Sequence, residues 1–117
     1  MDKKKGIIRK LHKCSEKISE EMGIDKVILF GSYIRKDMTK DSDIDMLVIG
    51  RKKDRDIRTK IAIMFHKAIP KRPMDVLLKT KEDIDKRLGI GDSFVKNIIE
   101  KGVIIYEKDH KGVAGQG

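Results

Sequence analysis

The chain has 117 residues, of which 38% are hydrophobic and 40% charged, and 28 Lys and Arg outnumber 19 Asp and Glu to give a formal charge of +9. This is the length of one domain around one core, and no apolar run approaches the ~20 residues that a membrane-spanning helix requires. A single cysteine, Cys14, excludes an internal disulfide, and no His or Cys stands at a zinc-binding spacing.

The basic start, MDKKKGIIRK, lacks a continuous apolar segment and a small-residue cleavage site, so the sequence predicts a cytoplasmic protein with no membrane association. From Lys3 to Met22, apolar Ile7, Ile8, Leu11, Ile18 and Met22 recur at helical spacing, and Gly23 follows in the place of a C-terminal cap. Cys14 falls within this helix as a small buried or half-buried hydrophobe. KVILF (Lys26 to Phe30) and IDMLVIG (Ile44 to Gly50) are apolar, β-branched runs bounded by turn residues, and read as buried strands. Between Asp54 and Ala68, Ile57, Ile61, Met64, Phe65 and Ala68 share one helical face, after which Pro70 and Pro73 end the helix. MDVLL (Met74 to Leu78) is a third strand. Thr80 with Asp83 forms a capping signal for a helix to about Leu88, and the GIG that follows breaks it. Ser93 caps a last helix through Lys101, Gly102 closes it, and VIIY (Val103 to Tyr106) is a fourth strand before a polar tail.

Strands alternating with helices in this order predict an α+β, two-layer architecture: a mixed sheet of about four strands with helices mainly on one face. Residues 1–106 read as a single domain and 107–117 as a flexible tail.

The chemistry concentrates between Leu29 and Gly50. Asp43 and Asp45 are two residues apart at the mouth of a strand, so they point to one side of the sheet. Carboxylates so close repel one another unless a cation lies between them, and an all-oxygen pair suits Mg²⁺. Asp41, Asp43 and Asp45 also match the first three ligand positions of a calcium loop, but Met46 and Lys52 occupy its glycine and glutamate positions. Gly31-Ser32 lies between a buried strand and YIRK, where backbone N–H groups and the Ser32 hydroxyl can donate to an anion and Gly31 lets a phosphate approach the main chain. An ordinary N-cap at Ser32 is the simpler reading of that pair taken alone. Asp75 is a charge at the head of an otherwise apolar strand. It is either a surface residue paired with Arg72 or Lys71, or the third member of a cluster able to hold two Mg²⁺ ions about 3.5 to 4 Å apart.

Gly31-Ser32, ten residues, and then Asp43-Ile44-Asp45 resembles the signature of the nucleotidyltransferases of the DNA polymerase beta superfamily. With GSYIR, SDIDMLV and MDVLL together, the chain is most similar to the minimal nucleotidyltransferases (MNT) that act as antitoxins beside HEPN ribonuclease toxins. The resemblance covers about Val27 to Leu78, and IIEKGVIIYE also resembles the end of that domain. It implies a polymerase beta-like nucleotidyltransferase fold, with Gly31 and Ser32 on the β- and γ-phosphates of an NTP, ATP by preference. Asp43 and Asp45 would then ligate two Mg²⁺ ions, and Asp75 the one that activates the attacking hydroxyl. Lys36 follows Arg35 where the family carries glycine, so Arg35 and Lys36 are weaker candidates for phosphate contacts, with a solvated basic turn as the plainer reading. The implied reaction is transfer of AMP to a tyrosine of a HEPN toxin, in a homodimer or hetero-oligomer. The toxin's own R-x4-H-x-Y motif is absent. Two alternatives stay open: a non-catalytic module that neutralises its partner by contact, and transfer to RNA. The charge of +9 favours RNA, but the lysines are spread along the chain and only three Phe and two Tyr are available to stack on bases.

Overall fold

The computed structural model describes residues 3–32 and 42–108. Arg35, Lys36, Asp41 and the residues from 109 onward lie outside the described residues. In chain order the elements are α1 (Lys3–Met22), β1 (Ile24–Phe30), β2 (Ile44–Gly50), α2 (Arg55–Ala68), β3 (Met74–Thr80), α3 (Lys81–Gly89), α4 (Ser93–Lys101) and β4 (Val103–Glu107). No helix among the described residues is long and apolar enough to cross a membrane.

The strands form one mixed, open sheet in the order β3-β2-β1-β4. β1 is antiparallel to both β2 and β4, and β2 is parallel to β3. An antiparallel pair can close through a short loop, whereas a parallel pair needs a crossover; α2 supplies it between β2 and β3. Residues 27–30 and 46–49 are unbroken apolar runs because these parts of the two central strands are covered on both faces. Val27, Leu29, Met46 and Val48 face Leu11 and Ile18 of α1 and Ile61 and Phe65 of α2. Ile28, Phe30, Leu47 and Ile49 face Ile84 of α3 and Val95 and Ile98 of α4. The longer helices, 20 and 14 residues, thus share one face, and two nine-residue helices cover part of the other, where helices mainly on one face were expected.

Cys14 is buried as expected. α1 is tied to the far edge of the sheet by polar contacts: His12 Nδ1 donates to the Ile105 carbonyl at 2.8 Å, and Tyr106 Oη donates to Ser19 Oγ at 2.9 Å. β1 starts two residues before its expected edge and β3 ends two after, because ladder pairing extends each strand past its apolar run. α4 is capped by Asp92 and not by Ser93: Asp92 Oδ1 accepts from the Phe94 and Val95 N–H groups at 3.0 and 3.2 Å. Both residue types serve at an N-cap, and the carboxylate one position earlier reaches two N–H groups at once.

The capping box expected at the start of α3 forms in full. The Asp83 N–H donates to Thr80 Oγ1 at 3.1 Å, and the Thr80 N–H donates to Asp83 Oδ2 at 3.0 Å. Lys53 Nζ adds a contact at 2.9 Å to Asp83 Oδ1. The Lys53 ammonium first, then the Thr80 N–H, lower the Asp83 pKa from 3.8 to about 2. A carboxyl depressed in the folded state contributes stability that is complete above its unfolded pKa and is lost as pH falls through the folded one. We therefore expect Asp83→Asn to lower urea resistance at pH 7, with the gap to wild type closing between pH 4 and pH 2; a gap independent of pH would mean that the charge contributes nothing.

Candidate active site

β1 delivers the chain to a tight turn against β2. Phe30, its last residue, is the ladder partner of Asp45. Gly31 follows with φ +76°, a left-handed conformation that costs a residue with a Cβ about 1–2 kcal/mol. A Cβ on Gly31 would also collide with the Asp45 carboxylate, which lies directly over its Cα. Glycine is required here twice over, by its backbone angle and by its neighbour.

Ser32 is buried, and its hydroxyl donates to the Asp43 carbonyl at 3.3 Å. The hydroxyl proton therefore links the turn to the entrance of β2 and does not point outward as a donor to an anion. Two further contacts hold the same entrance. Arg72 donates through Nε and Nη2 to the Ser42 carbonyl at 3.2 and 2.8 Å, and the Ile44 N–H donates to the Pro73 carbonyl at 2.9 Å. All three act on the main chain, so they fix the backbone on either side of Asp43 without covering its side chain.

The parallel register pairs Asp45 with Asp75. By alternation, Asp45 belongs to the same face of β2 as Leu47 and Ile49, and Asp75 to the same face of β3 as Leu77, which is the face covered by α3 and α4. Asp45 and Asp75 therefore lie at one end of one face, and Asp43, two residues before Asp45, stands immediately ahead of β2. Asp43 and Asp75 are exposed and Asp45 half-buried. Among the described residues neither Asp43 nor Asp75 takes part in an ion pair, so the pairing of Asp75 with Arg72 or Lys71 does not form. The acids are neighbours in pairs, along β2 and across the ladder: among the described residues no three acidic, histidine or cysteine side chains close on one point able to hold a metal ion.

A cavity of about 630 Å³ opens beside Asp45. Phe30, Gly31 and Asp45 form its sheet side, and Phe94, Asn97 and Lys101 of α4 its other wall. Sequence reasoning marked α4 only by its start near Ser93 and its end at Lys101, and missed these three. The available signal was their own spacing, i, i+3 and i+7, which places them on one side of the helix.

Comparison with protein families matches residues 12–111 to the family described as Polymerase beta, Nucleotidyltransferase. The chain belongs to this family. This nucleotidyltransferase is 35% identical over 86 residues, 71% of its length and 79% of the relative's, to a Methanocaldococcus jannaschii protein named "Putative protein adenylyltransferase MJ0604". Among solved structures, a toxin-antitoxin complex with AMP-PNP aligns over 86% of this chain and 76% of that one, with a TM-score of 0.57 and 17% identity. A structure from Sulfolobus solfataricus named "putative nucleotidyltransferase" aligns over 87% of this chain and 81% of that one, with a TM-score of 0.55 and 17% identity. These likenesses place the mixed sheet in the nucleotidyltransferase fold.

The contact between Gly31 and Asp45 can be weighed against a glycine that has the same backbone angle and open space. Gly91 has φ +78° and nothing within 4 Å of where its Cβ would stand. Gly91→Ala is expected to cost about 1–2 kcal/mol in urea denaturation, and Gly31→Ala distinctly more. The excess should shrink when Asp45→Ala is introduced alongside, and an unchanged excess would show that the carboxylate is not what the new methyl meets.

Proposed function

We propose that this nucleotidyltransferase uses ATP and divalent metal to transfer AMP to a hydroxyl of a partner protein, and that the partner is a toxin of the HEPN class which the modification silences. The observation that carries this reading is the position of Asp45, with the Gly31 turn beneath it and Asp75 opposite it across the ladder. In this reading the turn binds the triphosphate, and two acids on neighbouring strands stand beside it. The name of the Methanocaldococcus relative supports a protein acceptor. A toxin partner is supported by fold neighbours that are toxin-antitoxin structures, one of them with AMP-PNP and another named MntA-HpeT.

In this reading Gly31 lets the β- and γ-phosphates approach the main chain, and buried Ser32 holds the turn to β2. Asp43, Asp45 and Asp75 offer hard carboxylate oxygens, two of the three exposed and without an ion pair among the described residues, which is the donor set Mg²⁺ takes. Bound there, Mg²⁺ would neutralise phosphate charge and favour the ionised form of the acceptor hydroxyl. The acceptor oxygen attacks the α-phosphorus in line, the bond from that phosphorus to the bridging oxygen breaks, and pyrophosphate leaves with the electron pair. Positioning and charge neutralisation supply most of the acceleration in transfers of this kind. Arg35 and Lys36 keep the weaker role of phosphate contacts.

Transfer to RNA has one structural feature in its favour. Lys10, Lys13, Lys17 and Lys67 gather around a groove between α1 and α2, a lysine cluster that the sequence had suggested was dispersed. That groove lies on the opposite face of the sheet from the acids, so a strand bound along it does not present its end to Asp45. The protein acceptor is the better fit.

Incubation with α-labelled ATP, Mg²⁺ and the protein encoded beside this gene should label that protein. Asp43→Asn/Asp45→Asn, which alters an exposed and a half-buried side chain, should cut the labelling by about a hundredfold or more while circular dichroism stays unchanged. Equal labelling by the variant would remove the acids from the chemistry, and a variant that still neutralises its partner in cells without labelling it would favour neutralisation by contact.

A further inference from the structure

The wall that α4 gives to the cavity is not explained by the acids or by the phosphate turn. Val95 and Ile98 turn inward and hold the helix on the sheet, while Phe94, Asn97 and Lys101 line the opening beside Asp45. Phe94 is 55% exposed. It meets Phe30 edge-on, with ring centroids 5.8 Å apart at 83°, and more than half of its surface is left uncovered. A lone exposed aromatic is unremarkable on a protein surface, but here the ring shares a cavity with a side-chain amide, an ammonium and the carboxylate of Asp45. The volume, about 630 Å³, is that of a small-molecule site.

Each group has a position that matters. Lys101 is two residues before Val103, which pairs with Leu29, so it stands at the Gly31 end of β1, beside the turn assigned to the phosphates. A cation at a helix C-terminus is favourable in any case, yet this one also borders the cavity. Asn97, one helical turn earlier, carries a donor and an acceptor side by side, the pattern that pairs with N6 and N7 of adenine. Phe94, a further turn back, offers a flat face to a base, and stacking of that kind tolerates any base and adds affinity.

We propose that this cavity is the nucleoside subsite: the base stacks on Phe94, Asn97 reads its edge with a preference for adenine, and Lys101 meets the phosphates. The inference rests on the nucleotide-transfer reading above and names three specificity residues for it. An aromatic side chain of an acceptor protein could also stack on Phe94, but it would have no use for the Asn97 amide or the Lys101 charge. The nucleoside fits all three.

The test is equilibrium binding of ATP, GTP and inorganic tripolyphosphate to the full chain with Mg²⁺ and no acceptor present. Phe94→Ala should weaken ATP by about five- to a hundredfold and leave tripolyphosphate unchanged, which also shows that the variant is folded. Phe94→Tyr should stay within about twofold of wild type, keeping the stacking face. Asn97→Ala should narrow the preference for ATP over GTP, and Lys101→Ala should weaken ATP and tripolyphosphate alike. If wild type binds ATP and Phe94→Ala binds it equally well, the subsite is wrong while the transfer reading stands. If Phe94→Ala keeps its ATP affinity but no longer labels the partner, the ring belongs to the acceptor, and the proposal is overturned in favour of that assignment. If wild type binds none of the three, the transfer reading falls and takes the subsite with it.

Discussion

The register of β2 between its two neighbours is the constraint from which the site follows. β2 is buried on both faces, with Met46 and Val48 on one and Leu47 and Ile49 on the other, and Asp45 directly precedes this run. A slip of one residue would exchange the two sets and turn Asp45 toward the face where Leu11 and Phe65 pack. Placing a carboxylate there without a partner costs several kcal/mol, far more than any contact at the strand mouth returns. Hydrophobic packing along the strand thus decides which way the carboxylate points. The same register sets Asp45 against Phe30 on one side and Asp75 on the other, so one choice of pairing assembles the turn, the acids and the cavity together.

A strongly basic chain that gathers its acids at one place poses an electrostatic question, and distance answers it. Screening at physiological salt confines an exposed charge to about 8 Å, so lysines spread over the surface raise the local concentration of anions such as nucleotides without cancelling repulsion between neighbouring carboxylates. That repulsion is relieved only by a positive charge placed among the acids. The brace around Asp43 acts on the main chain: Arg72, Ser32 and Pro73 all bond to the backbone on either side of it. Arg72 donates to the Ser42 carbonyl, where it stiffens the loop.

Local signals were legible in the sequence and pairings between distant segments were not. The capping box of Thr80 and Asp83, the Gly31 turn and the Asp43/Asp45 spacing all depend on residues within a few positions of one another, and each was readable. The sheet order depends on which segments meet, so the neighbourhood of Asp75 and Asp45 could be posed only as a condition, which the parallel ladder meets. The wall of Phe94, Asn97 and Lys101 was missed for a related reason. An amphipathic helix announces its buried stripe, here Val95 and Ile98, but the function of its outer stripe depends on what the fold sets opposite it. Ser32 shows the limit from the other side: the residue was singled out, yet the direction of its hydroxyl is set by Asp43, eleven positions away.

The two faces of the sheet divide the work of stability and chemistry. Long helices seal one face around Phe65, Leu11 and Ile18, all fully buried, and this provides most of the apolar burial. The other face carries two helices of nine residues each, below the ~12–15 residues at which an isolated helix becomes even marginally stable. They persist because each has its own N-terminal cap, through Asp83 and Thr80 for α3 and Asp92 for α4, and because Ile84, Val95 and Ile98 anchor them to the sheet. Among the described residues these short helices leave part of the face uncovered, and Asp45 and the cavity lie there. Among the described residues α4 supplies the helical wall of that opening, so its shape depends on a cap that lies outside the cavity it helps to maintain.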